Sequence, residues 1–375
     1  MNILFIGPYK QADEWGRKSR YFLSALKKTN HNITSRPLYF NQIFSNYLEP
    51  TEHRYFDSYD SVIQFTLAPF AMYDGSFKKN IGIFNLSTVD SSFYSPNVQK
   101  ANLLDEIWVD SSKIHDSLST QLADATVRQM GPFLDFDVLN NISPDPVMSS
   151  NQIPNSSYGQ DRFMFYSIMG GVEGKIGLAE TLSAYYSTFS AREKVGLTVI
   201  FEHNIDSSVL DPIIQKSKSS LGAIRSQDDF PPVSILNPEG FLPDEARMRA
   251  HTEGDCFVSV EYSLNINTVA MEAACFGSTP LINKGNEAYN VLSEDNAWGV
   301  ESYEDSCVLS ERPFPDMFTS HEIFCKPIIK SLGDTMREAY TNKFKRDQKK
   351  GANSRFRAAL ESDDHYKKLE DILCM

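Results

Sequence analysis

The chain has 375 residues, 41% of them hydrophobic and 23% charged, with a formal net charge of −13. That composition excludes an intrinsically disordered chain, and the length suits roughly two packed domains. An acidic surface repels phosphate backbones, which counts against a nucleic-acid partner unless a local basic patch exists.

Asn2 to Ile6 reads as an apolar strand ended by Gly7-Pro8. No basic run precedes it, and the apolar run is too short for a signal peptide. No window approaches membrane-spanning length, so a soluble, cytoplasmic enzyme is expected. Asp13 to Arg17 reads as a polar loop around Gly16. Ser19 to Lys28 reads as a helix, with Tyr21, Phe22, Ala25 and Leu26 on one face and Lys27 and Lys28 at the end where the helix dipole favours cations. Strand, glycine loop and helix make a Rossmann opening, but without a GxGxxG nothing indicates a dinucleotide cofactor. Gly16 and Arg17 are candidates for a ligand site by position; the alternative is a loop glycine beside a solvated arginine.

Strands recur at Ser61 to Phe65 and Ile81 to Phe84. Thr88 to Pro96 is a polar loop at the carboxyl end of a strand, and Asp90 is its only acid. The run LLDEIWVDSS, Leu103 to Ser112, is a strand followed by serines able to cap the next helix. Val127 to Leu139 holds a strand and then a turn, with Asp135 and Asp137 as turn residues. Ile142 to Asp161, rich in Ser, Asn and Pro, is the linker candidate. It divides a first domain, 1–150, from a second, 151–350.

The strand–loop–helix pattern restarts with a strand at Arg162 to Ile168, a loop containing Gly170, Gly171, Glu173, Gly174 and Lys175, and a helix from Gly177 to Phe189. Lys175 is the only cation of that loop, which reads as a phosphate-facing loop or as a tight turn. Strands follow at Gly196 to Phe201 and Val233 to Leu236, and helices at Val209 to Leu221 and Pro243 to His251. Asp255 to Val260 is a buried strand, Glu261 to Thr268 a polar loop, and Val269 to Phe276 a helix stopped by Gly277. Asn267 or Thr268 can cap this helix, whose first turn offers N–H groups to an anion. A long helix is expected within Asp316 to Phe344, including CKPIIKSLGDTMREAY, and a last one over Asp363 to Leu373. The basic residues between Lys343 and Arg357 read as a solvated helix face. The five cysteines all lie in the second half without a CxxC pair. Free buried thiols in a reducing compartment are expected, and no zinc site.

LLDEIWVDSS and MEAACFGSTP together resemble the retaining GT-B glycosyltransferases, the glycogen-synthase-like and sucrose-synthase-like group (glycosyltransferase family 4, group 1-like). Glu272, Ala273, Ala274, Gly277 and Pro280 fit the second half of that group's donor segment. The first half departs. Leu264 stands where the group has a glutamate, Asn265 and Asn267 replace loop glycines, and Glu261 is acidic but three positions early. The resemblance implies an α/β protein of GT-B type: two Rossmann-like domains facing across a cleft, with residues 351–375 returning as a helix to the first. It implies transfer of a sugar, hexosyl or pentosyl, from a UDP- or GDP-sugar donor to a glycan or other hydroxyl acceptor with retention. No metal and no further cofactor are implied. Lys175 and Asp90 are the catalytic candidates, Lys175 stabilising the leaving diphosphate. Glu272 would bind the ribose, Asn265, Asn267 and Thr268 the sugar or diphosphate, Asn237 the base region, and Gly16, Arg17 and Gly171 the donor phosphates. Two other readings stay open. One is a phage-type enzyme acting on hydroxymethylated DNA, needing a positive cleft from Lys10, Arg17, Lys18 and the Lys343–Arg357 cluster. The other is a non-catalytic relative that only binds nucleotide sugar, suggested by Leu264.

Overall fold

The computed structural model describes residues 1–40, 45, 47–86, 89–90, 96–142, 162–171, 174–222, 225–306 and 322–374. The linker expected at Ile142 to Asp161 lies outside them beyond residue 142, as does Cys307. In the first half, β1 (Asn2–Gly7), β2 (Asn32–Pro37), β3 (Ser61–Thr66), β4 (Lys79–Phe84), β6 (Glu106–Val109) and β7 (Thr126–Gln129) form one sheet in the order β2-β1-β3-β4-β6-β7; β5 (Val89–Asp90) belongs to a different sheet. All five pairings are parallel. Every residue of β3 is buried, as a parallel sheet covered on both faces requires. Sequence reading omits β2, whose residues NITSRP carry no apolar run. Thr34 and Ser35 are nevertheless fully buried, and the Ser35 hydroxyl accepts from Thr51 Oγ1 at 2.8 Å.

The second half repeats the plan. β8 (Phe163–Met169), β9 (Val195–Phe201), β10 (Val233–Leu236), β11 (Cys256–Ser259), β12 (Leu281–Asn283) and β13 (Trp298–Val300) form a parallel sheet in the order β10-β9-β8-β11-β12-β13. In each sheet the chain reverses direction beside its first strand, between β1 and β3 and between β8 and β11. Ligands of open α/β sheets bind outside the carboxyl ends of strands at such points.

The first helix spans Glu14–Lys27, capped by Asp13, whose side chain accepts from the Gly16 amide at 2.9 Å. Gly16 and Arg17 therefore lie in its first turns, not in the loop expected at Asp13 to Arg17. Aspartate followed by an acid is a stronger helix start than Gly16 is a break. Glycine is required there because the helix packs on the preceding loop: a Cβ on Gly16 would stand 1.9 Å from the Gln11 carbonyl oxygen.

A third sheet joins the halves. β14 (Ser302–Ser306) pairs antiparallel with β15 (Glu322–Pro327), and β15 pairs antiparallel with β5 of the first half. The long helix expected within Asp316 to Phe344 is thus shorter. Cys325, Lys326 and Pro327 are strand, and the helix runs Ile329–Thr341. Pro327 has no amide for a helical ladder, so the helix starts beyond it. The terminal helix Asp363–Cys374 returns to the first domain, where Tyr366, Leu369 and Leu373 join the core around Phe5, Phe22 and Trp108. Cys256, Cys275 and Cys325 are free and buried, and Cys374 is free and exposed. Among the described residues no helix is long and apolar enough to cross a membrane.

Gly16→Ala tests the packing of the first helix. In an exposed helix the change would stabilise by about 1 kcal/mol; here the clash with Gln11 reverses the sign. The urea midpoint should fall, and a midpoint at or above wild type would refute the close approach.

Candidate functional site

Both large sheets turn their carboxyl ends toward the space between the domains. At the β8/β11 switch point, Ser167, Met169 and Gly170 from the end of β8, with Ser259 and Glu261 from the end of β11, line an open cavity. Asn267 and Val269 bound it at the start of the helix Thr268–Cys275, while Glu14 and Arg17 of the first helix cover it from the other domain. Asn267 caps that helix, its Oδ1 accepting from the Ala270 amide at 2.9 Å. The amides of Thr268 and Val269 in the first turn have no acceptor within the helix. Asn267 Nδ2 donates to Ser259 Oγ and Glu261 Oε1, both at 2.8 Å.

Behind the cavity lies a buried ionic network that spans the domains. Glu272 is wholly buried. Its Oε1 accepts from the Tyr21 hydroxyl at 2.6 Å, and its Oε2 from Arg247 Nε at 2.7 Å. Arg17 Nε stands 3.6 Å from Oε1 and His251 Nε2 3.4 Å from Oε2. Arg17 also pairs with Glu202 at 2.7 Å. Tyr21 and Arg17 come from the first domain, the rest from the second. Burial by itself would raise the Glu272 pKa, but Arg247, His251 and Arg17 outweigh it and hold the carboxyl well below the usual range. His251 is held neutral by burial, with Tyr166 Oη 2.8 Å from its Nδ1.

Glu261 behaves oppositely. Burial first, then the charge of Glu14, pushes its carboxyl up to about 7, against the pull of Lys18 and Asn267. With Glu202 paired to Arg17, a cavity lined by three acids is far less negative near neutral pH than its residue list suggests.

The expected site residues divide by position. Arg17 and Asn267 line the cavity, and Glu272 lies behind it with both oxygens engaged, so a ligand diol reaches it only by displacing Tyr21 or Arg247. Gly171 is buried beside Gly170 at the β8 loop. Lys175 is half-buried; its carbonyl accepts from the Tyr262 amide at 2.8 Å, and its ammonium makes no ion pair among the described residues. Its neighbour Ile176 lines the cavity. Asn265 and Thr268 turn toward the first domain, where Asn265 Nδ2 donates to Asn85 Oδ1 at 2.8 Å. Gly16 is buried in the first helix rather than at the cavity wall. Asn237 lies beyond β10, exposed, with Oδ1 accepting from the Ile205 amide at 2.8 Å. The backbone of Asp90 pairs with Glu322 in the third sheet, while its side chain lies outside the described residues. Leu264 is buried among first-domain residues and Cys325, so that position serves packing, and Glu261 is the acid at the cavity.

Sequence reading misses Tyr21, Glu202, Arg247 and His251. Tyr21 passes for one more residue of an apolar face. Arg247 and His251, four apart in the helix Asp244–Glu253, share a face, which is the one available signal. The basic residues read as solvated are partly internal. Lys349 is buried and donates to the Ala297 carbonyl at 2.8 Å, and the Arg357 guanidinium lies 4.7 Å from the Phe276 ring centre. Lys10 pairs with Glu52 at 2.8 Å and Lys18 lies near Glu14 and Asp110. These cations do not assemble the positive cleft that a DNA-modifying enzyme needs.

No protein-family model matches the chain, and no curated protein matches it significantly. Solved structures do. The two facing Rossmann-like domains and the returning terminal helix make the GT-B fold. Trehalose-6-phosphate synthase OtsA superposes with a TM-score of 0.67 at 10% identity, covering 100% of this chain and 99% of that one. A trehalose-6-phosphate structure from E. coli bound with UDP-2-fluoro glucose gives 0.66 at 10% identity, with the same coverage. An α,α-trehalose 6-phosphate synthase from Burkholderia multivorans gives 0.55 at 14% identity, covering 82% of this chain and 69% of its own.

Two outcomes follow from the buried charges. Glu272→Ala strands Arg247 and Arg17, and removing one partner of a buried pair typically destabilises by about 3–5 kcal/mol. Tyr21→Phe removes a single bond to a charged group, worth about 1.5–3 kcal/mol. Chemical denaturation should rank them in that order; equal, small effects would mean the network is loose in solution. The second outcome concerns pH. The folded-state pKa of Glu261 is raised from 4.5 to about 7, so its contribution to stability is full below 4.5 and is lost as pH rises through 7. Glu261→Gln should flatten the fall in melting temperature between pH 5 and pH 8. Parallel wild-type and mutant curves would refute the raised pKa.

Proposed function

We propose that this chain is a retaining GT-B glycosyltransferase that moves a sugar from a nucleotide-sugar donor, UDP- or GDP-linked, to a hydroxyl acceptor. One observation carries the reading: the cavity at the β8/β11 switch point is bounded by the start of the helix Thr268–Cys275 and by Ile176, whose neighbour Lys175 makes no ion pair among the described residues. First-turn helix amides and a lysine ammonium are the chemistry that a diphosphate takes. Whole-chain likeness to a structure bound with UDP-2-fluoro glucose supports it.

In this reading the diphosphate lies against the Thr268 and Val269 amides and Lys175. The sugar faces Glu261, which stands in for the acid missing at Leu264. The ribose reaches Glu272 by exchanging with Tyr21 when the first-domain helix draws back, and the base lies toward Asn237. The bond from the anomeric carbon to the diphosphate oxygen breaks and a bond to the acceptor oxygen forms on the same face. The acceptor proton passes to the departing diphosphate. Lys175 acts mainly as charge builds on that leaving group, so its contribution belongs to the transition state.

Thermal-shift titration with UDP-glucose and GDP-mannose, joined to a nucleoside diphosphate release assay, tests the reading. One donor should raise the melting temperature and be turned over. A shift without release would identify a nucleotide-sugar-binding relative, and no shift with any donor would sink the proposal. Lys175→Ala should lower kcat about 10²–10³-fold, more than it raises the donor KM, and Lys175→Arg should recover part of the rate. Near-wild-type turnover in folded Lys175→Ala would leave the phosphates to the helix amides alone.

A further inference from the structure

A second, partly open cavity lies on the first-domain side of the cleft at the carboxyl ends of β3, β4, β6 and β7. Phe22, Phe65, Phe84, Met130 and Phe133 form most of its wall, and Ile266 of the second domain closes it. All but Phe133 are buried. Gly131 and Pro132, more exposed, mark the rim.

The two cavities share a thin partition. Arg17 lines one and Lys18 the other. Along the approach to the helix Thr268–Cys275, Asn267 and Val269 face the first cavity while Ile266 and Thr268 face the second. A ligand of the second cavity therefore reaches Thr268 at the same helix start that bounds the first.

Polar groups in the second cavity are few and specific. Among the described residues Lys18 is its only cation. Its Nζ donates to Asn85 Oδ1 at 2.9 Å and lies 3.4 Å from Glu14 and 3.5 Å from Asp110. Two acids answer one ammonium, so no positive charge remains for a phosphate or a carboxylate. One oxygen is sealed from solvent without a hydrogen-bond partner among the described residues: Thr268 Oγ1, on a residue 5% exposed, while the Asp110 carboxylate faces Lys18 and the Ile266 amide. Buried polar atoms normally have partners, and Thr268 lines the cavity, where a ligand hydroxyl would supply one. The aromatic walls, in turn, suit the face or edge of a ring.

We propose that this cavity is the acceptor subsite, and that it takes an uncharged alcohol carried on an apolar ring, with the hydroxyl held at Thr268. The proposal rests on the glycosyltransferase reading for the word acceptor; the ligand class stands on the cavity alone. It departs from a phosphorylated sugar acceptor, which the charge balance around Lys18 disfavours.

Calorimetric titration of the purified chain with 2-naphthol and with glucose 6-phosphate, both without donor, tests the ligand class. 2-Naphthol should bind and glucose 6-phosphate should not compete. Thr268→Val removes the unpartnered hydroxyl and should weaken 2-naphthol binding several-fold. Gly131→Phe offers a second, surface variant, because a Cβ there meets only His365 Cε1 at 3.6 Å. It should narrow the mouth and weaken binding at least 10-fold. Affinity unchanged in both folded variants, or competition by glucose 6-phosphate, overturns the proposal. In the presence of donor, nucleoside diphosphate release stimulated by 2-naphthol and not by glucose 6-phosphate supports it, and the reverse overturns it. Binding lost in both variants while no release occurs under any condition supports the ligand class and refutes the transferase reading instead.

Discussion

The structure depends on a carboxylate that never meets water. Glu272 sits at zero exposure with donors from both domains on its two oxygens. A buried ion pair is a weak source of net stability, since desolvating the charges offsets most of their attraction. Its effect is on geometry. A guanidinium donates in a fixed plane and a carboxylate accepts in defined directions, so Arg247, Arg17 and Tyr21 can satisfy Glu272 together only over a narrow range of domain orientations. The cavity between β8, β11 and the first helix takes its shape from that agreement. Apolar contacts of Tyr21, Leu134 and Phe136 with the second-domain core tolerate more slip than the ions do.

Charge illustrates how sequence and structure can point apart. The chain carries 36 basic residues, and a count alone suggests basic patches near the first helix and along Lys343–Arg357. Several of these groups face inward. Lys349 satisfies carbonyls at the end of a helix, Arg357 covers an aromatic ring, and Arg17 faces two buried acids. What reaches the surface is accordingly more acidic than a map of linear clusters implies, which fits the net charge of −13.

The parts of the fold legible in the sequence are those where local pattern and tertiary burial agree. Continuous apolar runs gave β1, β3, β8 and β9, since both faces of a central parallel strand are covered. Asn267 and Gly277 mark the ends of the motif helix through cap chemistry that is local. β2 and β15 were hidden because their residues are polar or interrupted by proline and are ordered by partners far away in sequence. The first helix begins earlier than the pattern suggests because Gly16 reads as a break, and the reason for glycine there is a neighbour's carbonyl that only the fold reveals. The site was legible in the same proportion. Asn267, at the cavity wall, announces itself by its cap. Arg247 and His251 do not, because nothing local says that a charged helix face will be buried.

Among the described residues, two ties formed by whole elements of secondary structure constrain how the cleft can work. One is the β15–β5 pairing, where main chain of the second domain is hydrogen-bonded to main chain of the first. The other is the terminal helix, which leaves the second domain and beds into the core of the first. Two bodies fastened at two separate places keep one easy freedom: a swing about the line through the fastenings. Translation apart, or twist about any other axis, strains one tie or the other. The cleft is then a jaw with a built-in axle, and the ion pairs around Glu272 are its clasp.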